Sequence, residues 1–330
     1  MIENKTYFNN QGSAPSPLER VGVRTFLFIL LLSTLSFSQK NKEVFLFTSF
    51  REPATAGLYL AYSEDGYNWK DLGGSFLKPE IGASETKIMR DPSIVKAKDG
   101  TYHMVWTTDW RGGNGFGYAN SKDLIHWSKQ EYIPVMKNEP DVVNVWAPEI
   151  FYDDVKKEYS IIWASTIPFR FEKGAEEEKN NHRMYVVTTK DFKTFSDAKL
   201  FYEPGFSVID CVIVKKGKKD YVLVLKDNTR PMRNIKVAFG KSPLGPFGKS
   251  AAPFTDFLSE GPAVLKKDNY WLIYYDNYGA KNYKASKTSD FVHFEDVSSK
   301  ISLPEGHKHG TISTISEEVL KGLIAKQTQE

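Results

Sequence analysis

Five acidic or histidine positions recur along the chain: Asp91 in Arg-Asp-Pro-Ser-Ile-Val, Glu149 in Trp-Ala-Pro-Glu-Ile, Asp210 in Val-Ile-Asp-Cys-Val-Ile, Glu260 in Ser-Glu-Gly-Pro-Ala-Val and His309 in Lys-His-Gly-Thr-Ile. The steps between them are 58, 61, 50 and 49 residues. Repeats of that length belong to propeller blades or solenoid units, because each repeat is one small unit that buries its apolar faces only against its neighbours. If the units are blades around an axis, each places one polar residue at an equivalent point, and five side chains converge on a central pocket.

A second pattern repeats with the first. Residues 63–69, 121–127, 189–195, 242–247 and 288–294 each hold a polar turn that ends in an aromatic residue. Short runs rich in β-branched and aromatic residues lie between the two elements, at 102–106, 159–163, 221–225 and 270–274, often opened by turns such as Asp99-Gly100 or Asp268-Asn269. The unit is therefore read as an antiparallel sheet of roughly four strands, and the fold class as an all-β, five-bladed β-propeller. The first turn element precedes the first acidic position, whereas His309 has only a short strand after it. Strands near 44–50 and 57–62 are thus expected to complete the blade that His309 begins, so that N- and C-terminal strands close the ring in one blade and leave no free sheet edge. Residues 316–327 read as a short amphipathic helix lying on the ring.

The chain has 330 residues, and its repeats run from about 44 to 315 without a linker-like stretch, which favours one large domain. Residues 25–37 are an apolar run preceded by Arg20 and Arg24 and followed by small residues at Ser36 and Ser38. The run is too short for an ordinary membrane span and reads as a cleaved export signal ending near Ser38. Residues 1–38 are then signal peptide with an N-terminal extension, and 39–330 the propeller; the polar stretch 1–19 is unusual for a signal, and Val23 is a candidate alternative start. Cys211 is the only cysteine, so there is no intramolecular disulfide and no lipid-anchor cysteine after the apolar run. This combination suits a periplasmic or secreted bacterial protein without a membrane anchor, expected to be a monomer. Cys211 itself reads as a small buried residue rather than a nucleophile. The 44 basic and 41 acidic residues leave a net charge of only +3, with the cluster Lys215-Lys216-Gly217-Lys218-Lys219 in a hairpin turn, so no nucleic-acid partner is inferred.

Gathering carboxylates in one partly dehydrated pocket raises at least one pKa, because like charges cannot all ionise freely. Acid-base chemistry at neutral pH needs that, and glycoside hydrolysis uses such a pair: one carboxylic acid protonates the leaving oxygen while the other activates water or attacks the sugar. Aromatic residues make up 14% of the chain, and Trp106, Trp110, Trp146, Trp163 and Tyr275 are expected near the pocket rim, where rings stack on the apolar faces of sugars. Trp146 has the best claim, standing three residues before Glu149.

The motifs Arg-Asp-Pro-Ser-Ile-Val, Trp-Ala-Pro-Glu-Ile-Phe-Tyr-Asp-Asp, Val-Ile-Asp-Cys, Ser-Glu-Gly-Pro and His-Gly-Thr-Ile together resemble glycoside hydrolase family 43, five-bladed propeller enzymes that act on arabinose-, xylose- and sometimes galactose-containing glycans. The resemblance covers nearly all of residues 44–320. It implies that Asp91 is the general base, Glu260 the general acid and Asp210 the residue that tunes and orients the acid, in an inverting reaction. Glu149 stands where many relatives have aspartate, and Cys211 where proline often follows. Glu149, Trp146, Trp106, Trp110 and His309 are expected to bind substrate. No cofactor is required; a structural calcium or sodium ion near His309 is compatible with the resemblance. The function expected is exo-acting release of a terminal β-D-xylose or α-L-arabinofuranose from plant or algal polysaccharide fragments. The alternatives are an exo-galactosidase of the same fold and a non-catalytic carbohydrate-binding propeller, and retention of all three carboxylates argues against the second.

Overall fold

The computed structural model describes residues 43–328. Nineteen strands and one α-helix follow in order: β1 (Val44–Ser49), β2 (Tyr59–Ser63), β3 (Lys70–Asp71), β4 (Arg90–Lys96), β5 (Tyr102–Thr107), β6 (Phe116–Ser121), β7 (Glu131–Ile133), β8 (Trp146–Asp153), β9 (Glu158–Ser165), β10 (Arg183–Thr189), β11 (Lys199–Tyr202), β12 (Val208–Gly217), β13 (Asp220–Asp227), β14 (Asn234–Gly240), β15 (Ser259–Lys267), β16 (Tyr270–Asn277), β17 (Asn282–Thr288), β18 (Glu295–Asp296), β19 (Ile312–Ile315) and α1 (Glu317–Gln327). They form five antiparallel sheets: β4 to β7, β8 to β11, β12 to β14, β15 to β18, and β19-β1-β2-β3. The innermost strands β4, β8, β12, β15 and β19 each touch the next, and β19 returns to β4. The molecule is a five-bladed propeller.

The ring closes as the order of the motifs implies. β19 pairs antiparallel with β1, from Val44 opposite Ile315 to Phe47 opposite Ile312. Strands from near both ends of the described residues are thereby held in one blade.

The apolar core lies between the blades. Second strands such as β5, β9, β13 and β16 are buried on both faces, which is why they read as continuous apolar runs rather than alternating ones. Adjacent residues point to opposite neighbours: Met104 packs with Leu46 and Leu60 of the closing blade, and Val105 with Ile161 and Trp163 of the second. The same division sends Ile162 towards Leu223 and Leu225, Val224 towards Ile273, and Leu272 towards Phe47.

The turn element also has a physical cause. In Ser63-Glu64-Asp65 the Ser63 hydroxyl accepts from Gly66 N while Asp65 Oδ1 accepts from Tyr67 N and Asn68 N. Ser121 with Asp123, Thr189 with Asp191, and Thr288 with Asp290 make the same bonds. The residue after each aspartate turns left-handed; it is Gly66 in one copy and the buried Leu124, Phe192 and Phe291 in the others. Core burial offsets a strain of about 1–2 kcal/mol that glycine would avoid.

One blade departs from the expected four strands. After β14 the chain still donates from Gly248, Ala251 and Phe254 to carbonyls of β14, but no regular fourth strand forms across Pro246 and Pro253. Proline has no amide hydrogen to give a ladder. At the C-terminus Ser316 caps α1 by accepting from Val319 N, and Leu320 and Leu323 are buried against the first inter-blade cluster. The export signal, with its candidate start at Val23 and its end near Ser38, lies outside the described residues. Among those residues no helix is long and apolar enough to cross a membrane.

Candidate active site

Each innermost strand slips by one residue against its neighbour at the same height. In the first blade Arg90 faces Thr107 and Ser93 faces Val105, three steps against two. The same break falls between Trp146 and Glu149, Ile209 and Val212, and Glu260 and Ala263. In the closing blade Lys308 N donates to Phe50 O and Thr48 N to Thr311 O, which reproduces the slip across His309-Gly310. Such bulges re-aim side chains and are common beside functional sites.

The bulges correct the expectation that all five polar residues are equivalent. Asp91, Asp210 and His309 occupy the first bulged position, filled in the other blades by Ala147 and Gly261, and the φ values are 51° at Asp91, 52° at Asp210, 47° at Ala147 and 58° at Gly261. Glu260 stands one residue before that position, and Glu149 two after it. What calls for glycine at 261 is the space, because a Cβ there would come within 2.7 Å of the His309 side chain.

The first-position residues meet on the axis. His309 Nδ1 is 3.3 Å from Asp91 Oδ1 and 4.0 Å from Asp210 Oδ1. Thr107 Oγ1 donates to Asp91 Oδ2 at 2.9 Å, and Gly261 N to Asp210 Oδ2 at 3.1 Å. Burial disfavours charge on His309, but Asp210, the hydrogen bond and charge of Asp91, and Glu149 outweigh it, raising the imidazole to about 9 and keeping it cationic at neutral pH. Burial likewise works to raise Asp91, yet His309, Arg90 and Thr107 reverse the balance and hold its carboxyl below the usual range. Asp210 is raised by burial and by repulsion from Glu260 and Asp91, against the opposing charges of His309 and Lys226. Two carboxyls in identical backbone positions are thus driven in opposite directions by what surrounds them.

A cavity of about 500 Å³ opens over this cluster and is lined by Asp91, Asp210, Glu260 and His309, with Trp110, Trp146 and Arg111 on one side and Lys226, Arg233 and Tyr278 on another. A larger cavity of about 650 Å³, lined by Glu80, Lys87, Tyr132 and Glu139 among others, contains none of the repeated polar residues. Trp110 is 53% exposed, its ring 4.6 Å from that of Trp146, whose Nε1 donates to Trp110 O. Trp146 rests in turn on the buried His182 ring, which burial lowers to about 3 and keeps neutral. The pair forms an aromatic shelf of the kind that stacks on sugar faces.

The other aromatic expectations need correction. Trp106 is fully buried in the cluster between the closing and first blades, with the Gly117 backbone against its ring, and cannot touch a ligand. Trp163 and Tyr275 are also core residues. All three sit on second strands, which face neighbouring blades rather than the axis. Glu149 is corrected as well. Two residues past the bulge position, it lines a different cavity, at the far end of the inner strands with Ile94, Val212, Ala263 and Thr311, and not the one holding Asp91 and Glu260. Its Oε2 accepts from Thr311 Oγ1 at 3.2 Å, and burial, only partly offset by Ser93, His309 and Thr311, raises it to about 7. Cys211 is buried and its thiol is pushed up by burial and by Asp210, as an unreactive core residue requires.

Several lining residues were not singled out in the sequence. Lys226 faces Ile209 across the β12–β13 ladder, and its Nζ donates to Glu260 Oε2 at 2.6 Å. Lys308 donates to Asp276 at 2.7 Å, and Arg90 pairs with Glu52. Arg111 holds Lys179 O and Asn180 Oδ1, tying the 168–181 loop to the cavity, where Asn180 is a lining residue. The available signal was a lysine ending the otherwise apolar run Tyr-Val-Leu-Val-Leu-Lys: a charge on a strand buried on both faces has to face something polar. Among the described residues no cluster of three or more His, Cys, Asp or Glu has the arrangement of a metal site.

Comparison with known proteins bears on the fold and on the family. A thermostable family-43 glycoside hydrolase superposes with a TM-score of 0.54 at 14% identity, over 72% of this chain and 82% of that one. The catalytic domain of a Coprinopsis cinerea family 62 α-L-arabinofuranosidase superposes at 0.53, 14% identical, over 79% of each chain. These likenesses speak for the fold. In sequence, an α-L-arabinofuranosidase of Bifidobacterium longum is 22% identical over 41% of this chain, a stretch that spans only 15% of that larger protein. The family model related to glycoside hydrolase family 43, described as "Probable glycosyl hydrolase domain", matches residues 41–320, and the chain belongs to that family.

Proposed function

We propose that the protein is an exo-acting, inverting glycoside hydrolase that releases a terminal pentose, β-D-xylose or α-L-arabinofuranose, from plant or algal polysaccharide fragments. The observation that carries the reading is the pairing of opposite carboxyl environments in one cavity: Asp91 held ionised by His309, and Glu260 beside an Asp210 whose own carboxyl is raised. An ionised Asp91 can take a proton from water as that water attacks the anomeric carbon. Glu260 gives its proton to the departing glycosidic oxygen, so the aglycone leaves neutral. Asp210 stands beside Glu260 and, as the family resemblance implies, would orient the acid. Trp110 and Trp146 would stack on the sugar next to the scissile bond. A cavity of about 500 Å³ suits recognition of a chain end, at the small side of ligand pockets. The named arabinofuranosidases among the relatives support the choice of a pentose.

Assay of the purified protein against 4-nitrophenyl β-D-xyloside and 4-nitrophenyl α-L-arabinofuranoside tests the substrate class. Turnover of one, abolished in Asp91→Asn, is expected. Turnover of neither, with a galactoside hydrolysed instead, would replace the pentose reading.

A further inference from the structure

Lys226 is 3% exposed, and among the described residues its only hydrogen bond runs to Glu260 Oε2, at 2.6 Å. The ammonium also lies 5.1 Å from the centre of the Tyr278 ring, whose face favours a cation. Despite its burial it stays protonated, because Glu260 and Asp210 raise it. An ammonium has three donors and no acceptor. Oε2 is therefore the accepting oxygen in this contact, and because the carbonyl oxygen of a protonated carboxyl is its stronger acceptor, a proton on Glu260 is favoured on Oε1.

We propose that Lys226 is the positioning residue of the general acid: it occupies Glu260 Oε2 and so directs the transferable proton to Oε1. The inference rests on Glu260 being the acid, as set out above. A carboxyl free to carry its proton on either oxygen would present the wrong one to the leaving group for part of the time. Lys226 weights that choice towards Oε1. The other charged groups near Glu260 are Asp276, paired with Lys308, from β16, and the Asp91–His309 pair across the axis. Arg233 and the phenol of Tyr278 complete the wall on the Lys226 side.

The experiment is a carbon NMR titration of protein labelled at the glutamate carboxyl carbon, with the Glu260 signal assigned by its loss in Glu260→Gln. In Lys226→Met its midpoint should rise by about one unit or more, the usual effect of removing an opposite charge at contact distance, and Lys226→Arg should recover most of the shift. Turnover should follow: the alkaline limb of kcat/KM moves up with the midpoint in Lys226→Met. Hydrolysis of an oligosaccharide should fall about 10–100-fold while the 4-nitrophenyl glycoside, which needs little protonation, loses less than about threefold. An unmoved midpoint, or equal losses on both substrates, overturns the proposal. Undiminished hydrolysis of the oligosaccharide by Glu260→Gln would instead sink the acid assignment, leaving the titration shift intact and so separating the two failures.

Discussion

The inner strands of this propeller carry carboxyl groups at both ends, and the two ends behave differently. At one, Asp91, Asp210 and Glu260 share a cavity with Lys226, Lys308 and the cationic His309. At the other, Glu149 lines a cavity of about 430 Å³ about half of whose walls are Ile, Val and Ala, and its Oε2 accepts from the Thr311 hydroxyl. Charged partners at the first end hold Asp91 ionised; burial at the second raises Glu149 to about 7. What separates them is three residues of strand and one bulge. The type of side chain does not decide its chemistry; its place relative to the register slip does.

The largest expected contrast is in turnover. Asp91→Asn and Glu260→Gln should each lower kcat/KM on an oligosaccharide by about 10²–10⁴-fold, the usual scale of a lost acid or base. Glu149→Gln should change it less than about fivefold, since an amide can still accept from Thr311. A loss with Glu149→Gln as deep as with Asp91→Asn would break the comparison between the two ends.

A second contrast separates the tryptophans. Trp106→Ala empties a fully buried site and should cost about 3–5 kcal/mol of stability, read by chemical denaturation. Trp110→Ala removes a half-exposed shelf, so stability should hardly move while KM for oligosaccharides rises several-fold.

The smallest effect sharpens the picture of Glu149. A carboxyl with a raised folded-state pKa binds protons more tightly in the native protein, so its contribution is full below the unfolded value near 4.5 and is lost as pH rises through about 7. The raised His309 acts with the same sign at higher pH, losing its contribution between about 6.5 and 9. Stability should therefore fall between pH 5 and 8, and Glu149→Gln should flatten the first part of that fall, by at most about 3 kcal/mol. An unchanged pH profile in the variant would place Glu149 in a wetter site than the cavity walls suggest.

The fold was legible because its determinants are local and repeated. Ser/Thr-x-Asp turns, apolar second strands and motif spacing each follow from hydrogen bonding or burial within one blade, and the incomplete third blade differs where Pro246 and Pro253 intervene. The site was legible for Asp91, Asp210, Glu260 and His309, which gather as expected. It was not for Glu149 and Trp106, because spacing of 50–60 residues cannot resolve a shift of one or two residues across a bulge, nor which face of a strand meets the axis. Lys226 and Lys308 were missed because each belongs to the site through a partner on another strand, Glu260 and Asp276. Of the two, only Lys226 left a trace in the sequence, as a charge ending an apolar run.

In the proposed reaction Asp91 activates water while Glu260 protonates the leaving group. The reaction needs room for that water, and a carboxyl separation of roughly 6.5–9.5 Å rather than about 5–5.5 Å. Proton NMR of the first sugar formed, recorded before mutarotation, reads the outcome directly. The account predicts an anomeric configuration opposite to that of the substrate; a retained configuration would mean that a carboxylate attacks the sugar itself, and would contradict the roles assigned to both residues.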